Sequence, residues 1–571
     1  MDPNIPNQPL QNEIPPVQPN PLSQPIIQQP VNQPPIQQNP IPQQPASDST
    51  PSGSKWKLML LIIILLTLLV GGGIYYFAIG KNKPTVQNKQ KTIASINADV
   101  EISTTSKKLG EVPSSDYRDV IFSPNGTRSA YVIGGEGIDS SNYVVVDGNK
   151  SKLISDGMYG NASNLQFSPD SKHFAYWVEK EGGYDAAQKN YLSKKYFVID
   201  GQEQNIDKTA DPQSLVFSPD SQHYSYIINE AKSFWIILDG KQQGPYEEAY
   251  GFVFSPDSQH YDYVAKKDGK FFNVYDGKKQ KEYFALYYPT FSPDSQHFAY
   301  LADDTGGQKE KLFLVLDNNE FRNYEYIGII NFSPDSQHVA DFGSDGKSRF
   351  VIVDGKIESN FPPYILSGMV FSHNGGSVAY MAEDGERFAI VINGKKEESH
   401  DLVEGFSFSP DDKHYTYVAA EEKVSSGGGV MPSEELLYKK WFIVYDGKKS
   451  VDYGYARAPV FSPDSQHFAY RIVGKNGWTI VLDGKEGKAY KDKEIGAPLF
   501  SGDNQGLAYT NALGLDENMV LKYRLIINGK ESKIYDQIYT VPKYNLNDNS
   551  WEYGVKSGNE LLWISDKVGK I

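Results

Sequence analysis

Cysteine is absent from the 571 residues. That removes disulfides and thiolate metal sites, but it assigns no compartment, because a cysteine-free chain suits oxidising and reducing surroundings alike. Net positive charge is also missing: 56 Lys and Arg stand against 71 Asp and Glu, for a formal charge of -15. Nucleic-acid surfaces depend on clustered cations that release counterions, so no nucleic-acid partner is expected. Histidine is scarce, at nine residues. Long apolar runs are missing with one exception, and the first 54 residues contain neither Lys nor Arg. What the chain has in quantity is 39 Tyr, 28 Phe and 50 Gly, which are strand formers and turn formers.

The cation-free segment 1–54 carries 15 Pro and 11 Gln. It has too little apolar surface to offset chain entropy, so it is expected to be a disordered Pro/Gln/Asn-rich tail with extended, polyproline-like stretches. The one long apolar run is Leu58 to Ile79, with no charged residue in it. At about 1.5 Å per residue it matches a bilayer core of about 30 Å, which predicts a single transmembrane helix. Trp56 on one side and Tyr75 and Tyr76 on the other stand where interfacial aromatics belong. Residues 80–95 form a linker. Lys55 and Lys57 precede the helix while Lys81, Lys83, Lys89 and Lys91 follow it, so a strict charge count would keep the large domain in the cytoplasm. The layout of short tail, single helix, brief linker and large β domain instead resembles that of bacterial surface proteins, and this implies an extracytoplasmic domain.

From residue 96 to 571 the chain repeats one phrase. Phe-Ser-Pro-Asp-Ser-Gln-His-Phe-Ala-Tyr stands unchanged at Phe291 to Tyr300 and again at Phe461 to Tyr470. Copies begin at Phe122, Phe167, Phe217, Phe254, Phe291, Phe332, Phe371, Phe408, Phe461 and Phe500, with a degenerate one near Tyr544. Self-similarity at this period marks propellers and solenoids. In the phrase itself, Pro293 and Pro463 fix the second position of a turn, and Asp294 and Asp464 can bond nearby backbone. The run from His297 to Tyr300, like that from His467 to Tyr470, alternates side-chain size at a period of two, as a strand does.

A third strand in each repeat is an apolar run closing on Asp-Gly or Asn-Gly, as in Val351-Ile-Val-Asp354-Gly355. Such a dipeptide between apolar segments is a strong hairpin signal, so a fourth strand must return. The near-continuous apolar character of the third strand means that both of its faces are covered. The fold class is therefore all-β, a β-propeller of four-stranded antiparallel blades with 10–11 repeats.

These residues resemble the TolB-type, Pro-Asp variant of the WD-repeat-like β-propeller, over roughly residues 112 to 571. The chain departs from the pattern at Asp341, at His373-Asn374, at Gly502 and at Asn318, which predicts irregular turns in individual blades. Ten or eleven copies allow one wide ring or two tandem propellers of 5–6 blades. Insertions in the second and eighth copies, six units apart, favour two rings. Residues around Ile96 to Val112 are expected to complete the last blade, because an open propeller would leave an exposed edge.

Chemistry is hard to place on the repeats. Seven histidines share one motif position, and only His373 and His400 do not. A side chain recurring in successive blades points to turn bonding, so no catalytic residue, metal or cofactor is expected. The recurring Asp residues read in the same way. Both turn types fall on one face of the ring, which sends the loops between the second and third strands to the other face. Long insertions at Trp177 to Lys194 and Val418 to Lys440 make that face the candidate binding surface, with Tyr184, Tyr191, Met431, Glu434 and Glu435 as its residues. The reading is a membrane-anchored binding scaffold for a protein or glycan partner. The alternatives are a propeller-type hydrolase or lyase with a metal or acidic site in the central channel, and a cytoplasm-facing assembly platform.

Overall fold

The computed structural model describes residues 102–568 apart from short stretches, of which 135–142, 152–160 and 424–437 are the longest. The expected tail, transmembrane helix, linker and the interfacial residues Trp56, Tyr75 and Tyr76 lie outside the described residues. Among those described, no helix is long and apolar enough to cross a membrane.

Blade 5 shows how the repeat folds. Its strands a to d are Ala285–Phe291, Phe298–Asp303, Phe313–Leu316 and Asn319–Phe321, each antiparallel to the next. Strand b is buried at Ala299, Tyr300, Leu301 and Ala302. Strand c is buried at Phe313, Leu314 and Val315. Two covered faces are what a sheet between two other sheets must have. The c–d hairpin turns through Asp317 (φ 48) and Asn318 (φ 64), the left-handed pair a tight hairpin needs, so Asn318 serves where other blades have Gly.

Eleven such sheets follow along the chain: 117–150, 161–204, 209–246, 248–283, 285–321, 325–361, 366–396, 402–449, 455–486, 499–531 and 537–568. They form one ring. The tandem arrangement favoured by the spacing of insertions is corrected here, because the seam it requires between blades 6 and 7 is filled. Phe342, Val351 and Val353 of blade 6 pack with Met369, Tyr380 and Val391 of blade 7. Blade 11 then packs on blade 1 through Leu561, Val112, Tyr131 and Val145, and the Trp563 ring lies 6.0 Å from that of Phe122. Gly126 (φ +66) sits under Trp563, where a Cβ would collide with the indole. The insertions in copies two and eight lengthen strands within their own blades, and so they mark no ring boundary.

The ring closes by strand pairing. Strand Ile102–Glu111, the first of the described chain, pairs antiparallel with Glu560–Val568, the third strand of blade 11, and supplies its outer strand. The expectation of a completing strand near Ile96 to Val112 holds. The register places Ile102 beside Val568, so the chain enters the ring at the face of the Ser-Pro-Asp turns.

Strand a lies at the axis. First strands of consecutive blades touch, as where Tyr250 Oη donates to Leu286 O at 2.9 Å and where the Arg457 guanidinium meets Glu404 through two bonds of 2.7 and 2.8 Å. Fourth strands lie outermost, and several are only two residues long and lysine-bearing, such as Lys395–Lys396 and Lys448–Lys449. Short charged edges resist pairing with other chains.

Candidate functional site

The two faces of the ring differ in what they leave free. On the turn face, Ser292 Oγ donates to Asp294 Oδ1 at 2.6 Å and accepts the His297 amide at 2.9 Å, while Asp294 Oδ1 also accepts the Gln296 amide at 3.0 Å. His297 Nδ1 then reaches Asp317 Oδ2 at 2.7 Å, and Asp317 Oδ1 accepts the Phe298 amide at 3.0 Å. The histidine thus ties the a–b turn to the c–d hairpin of its own blade. The same bond joins His173 to Asp200, His223 to Asp239, His260 to Asp276, His338 to Asp354, His414 to Asp446 and His467 to Asp483. Where the histidine is replaced, its neighbour in space fits the replacement: Arg128 Nε pairs with Asp147 at 2.8 Å, and Ser377 Oγ accepts from Asn393 Nδ2 at 3.0 Å.

The second serine of the motif joins neighbouring blades, a role invisible in a single repeat. Ser295 (φ 64) turns its hydroxyl toward blade 4, where it accepts the Asp257 amide at 3.0 Å, and Ser336 accepts the Asp294 amide at 3.0 Å. Similar bonds link Ser171, Ser221, Ser258 and Ser465 to the blade before. The turns expected to be irregular keep the common geometry, with Gly375 N donating to Ser372 O and Asn504 N to Ser501 O, both at 3.0 Å. His373 carries an amide that Pro lacks, and that amide donates to Asp412 Oδ1 at 2.7 Å, while Asn374 Oδ1 accepts the Ser372 hydroxyl at 2.9 Å in place of Asp. Serine hydroxyl bonds, together with backbone and lysine contacts, hold the Asp170 and Asp411 carboxyls well below the usual range. The recurrent Asp and His residues, Asp294, His297, Asp464 and His467 among them, are therefore the fastening of the turn face, with Pro293 and Pro463 in the same turns and Tyr300 and Tyr470 buried on the strands that follow.

The opposite face carries the b–c hairpins. In blade 2, Phe174–Asp185 and Asn190–Ile199 form a long ribbon in which Tyr184 stands opposite Tyr191, so two of the sequence candidates share one pair position near its tip. In blade 8 the strands reach Lys423 and resume at Tyr438. Met431, Glu434 and Glu435 lie between them, outside the described residues. Sequence reasoning misses a third hairpin. In blade 10, Leu507–Leu515 and Leu521–Ile527 project a tip with Leu515 and Met519 exposed, at 58% and 74%, and Val520 and Leu521 partly so. Asp516 fixes this tip: its carbonyl accepts the Met519 amide at 3.0 Å, its Oδ1 accepts the Val520 amide at 2.9 Å, and its carboxylate pairs with Lys522 at 3.0 Å. The signal was available, since Leu-Gly-Leu-Asp-Glu-Asn-Met-Val-Leu puts apolar residues around a polar turn with no counterpart in other repeats.

One mixed cluster has metal-ligand composition. Glu398, His400 and Glu421 bring their ligand atoms within 4.8 Å of one another between blades 7 and 8. His400 is fully buried, which lowers its basicity, and its Nδ1 is 3.1 Å from Glu421 Oε1. The Lys449 ammonium already stands 3.0 Å from Glu398 and 3.4 Å from Glu421, and Arg387 reaches Glu421 at 3.2 Å. The cationic position is filled by the protein itself, so the cluster works as an ion network between two blades. Glu398 follows the outer strand Lys395–Lys396 of blade 7 and Glu421 lies on the second strand of blade 8, away from the axial strands where a channel site was considered.

No family model matches the chain, and no curated protein sequence matches it. Solved structures do overlap it. A crystal structure described as the eukaryotic initiation factor has 14% identity and a TM-score of 0.36, covering 61% of this chain and 90% of the other. Prolyl oligopeptidase B from Galerina marginata has 12% identity and a TM-score of 0.26, covering 54% and 55%. TolB from Acinetobacter baumannii has 12% identity and a TM-score of 0.19, covering 72% and 80%.

Proposed function

We propose that this chain is a membrane-anchored binding scaffold that presents the b–c hairpin face of its propeller to a protein or glycan partner outside the cell. The observation that carries the reading is the contrast between the faces. Turn-face Ser, Asp and His side chains fasten the turns of the ring, whereas the opposite face projects hairpins of unequal length, one with an apolar tip held by the bonds of Asp516. Exposed apolar groups on an ordered support are where association gains most, because little side-chain and loop entropy is left to lose. The anchor is the apolar run 58–79, and the chain enters the ring on the turn face, opposite the hairpins.

The test has two arms. Protease added to intact cells should cut the propeller and spare the Pro/Gln tail; the reverse pattern supports a cytoplasm-facing platform. Partner recovery by the full chain should fall when the blade 2, 8 and 10 hairpins are shortened to the length of blade 4's Lys267–Lys270 turn. Equal recovery from both versions would remove the site assignment.

A further inference from the structure

We infer a second binding site on the channel wall of blade 5, built from Tyr287 and Tyr288 and suited to a neutral saccharide. In seven blades the a–b pairing slips at one place along strand a, and the slip carries a residue of left-handed φ. Five of those residues tolerate that conformation: Asp119, Asn164, Gly251, Gly368 and Gly405. A sixth is the small Ala458 (φ 52). In blade 5 it is Tyr288 (φ 55), a bulky aromatic at a position where it is strained. Tyr288 is 49% exposed, so core packing does not compensate for the strain. Tyr287 beside it is 37% exposed, and the two ring centroids lie 6.3 Å apart at 39°. Side chains that cost backbone energy and remain open to solvent concentrate at ligand sites.

The equivalent slip positions around the ring narrow the ligand's chemistry. At the slip positions the charged side chains are paired with one another: Arg118 with Asp119 at 3.4 Å, and Arg457 with Glu404 through two bonds. The remaining slip residues in the seven blades are Ser163, Asn164, Tyr250, Gly251, Ser367, Gly368, Gly405 and Ala458, all neutral. Across the blade 4–5 seam the backbone of Gly251 lies against the ring of Pro289, the residue after Tyr288. A neutral ligand with flat apolar faces and many hydroxyls suits two tilted phenols, whose rings offer apolar area and whose hydroxyls offer hydrogen bonds. A pyranose oligomer has that character.

The strain gives the proposal an unusual signature: replacing Tyr288 should impair binding without destabilising the ring. Full-length protein in detergent is titrated calorimetrically with cellohexaose and with chitohexaose, and in parallel with a synthetic peptide of residues 1–25, for wild type and for Tyr288→Gly. The expected result is saccharide binding by wild type, weakened about tenfold in Tyr288→Gly, with a melting temperature that is unchanged or raised by about 1–3 °C. Absence of saccharide binding by wild type, binding of the proline-rich peptide alone, or a clear fall in melting temperature in Tyr288→Gly would each overturn it.

Discussion

Single residues in this protein divide into those that every blade needs and those that one blade keeps for itself. The phrase Phe-Ser-Pro-Asp-Ser-Gln-His is of the first kind. Its hydroxyls, carboxylates and imidazoles close one turn, one hairpin and one seam, and they do so blade after blade. Asp262 is of the second kind. It stands in strand b of blade 4 where other blades have Ala, as at Ala299 and Ala469, and it is fully buried with no hydrogen-bond partner for either carboxylate oxygen among the described residues. Asn273, on the same face of the sheet, is also buried and has its side chain beside the Tyr300 hydroxyl. Burial, reinforced by nearby Asp276, pushes the Asp262 carboxyl well above its ordinary range. A carboxyl whose folded pKa is raised adds no penalty below its unfolded value near pH 4, and it costs stability progressively as pH rises through its folded pKa. Asp262→Ala is therefore expected to leave stability at pH 4 nearly unchanged and to raise it by about 1–3 kcal/mol at pH 8. Denaturant melts of both proteins across pH 4 to 8 check this, and parallel curves would contradict it.

At the scale of elements, periodicity and turn chemistry make most of the blade legible in the sequence. Pro293 and Asp294 mark the a–b turn, the runs ending in Asp-Gly mark the c–d hairpin, and both land on one face as their order along the chain requires. The hairpin face is less legible. Met431, Glu434 and Glu435 belong to an insertion, which stands out when the repeats are laid side by side, whereas the tip at Leu515 to Leu521 differs in what it exposes more than in how long it is. Exposure depends on what packs above a residue, and spacing does not encode that. Tyr288 escaped for a related reason: its strain is a property of the backbone slip, and the tyrosine looks ordinary within a sequence of 39. The strand Ile102–Glu111 carries the most structural consequence of any single element. Deleting residues 1–111 is expected to leave the third strand of blade 11 as an open edge, lower the melting temperature by more than about 5 °C and promote aggregation, whereas removing 1–95 should leave the propeller's melting temperature unchanged. Calorimetry and light scattering of the two truncations distinguish these outcomes.

For the molecule as a whole, ring number was beyond reach of the repeats themselves. Identical phrases at 291 and 461 specify the same turn whichever ring they belong to, and closure is decided where the last copy meets the first. Tyr131, Val145 and Leu561 form that contact, and the copy near Tyr544 is too degenerate to advertise it. The absence of cysteine makes closure directly testable. Ser103 and Lys567 are exposed and face each other across the pairing of the entering strand with blade 11. Paired strand positions bring Cα atoms to within about 5.5 Å, inside the span of a disulfide. In the Ser103→Cys, Lys567→Cys double variant, mild oxidation followed by mass spectrometry under denaturing conditions is predicted to show complete intramolecular crosslinking with the melting temperature retained. Free thiols throughout, or crosslinks between chains only, would contradict a single closed ring of eleven blades.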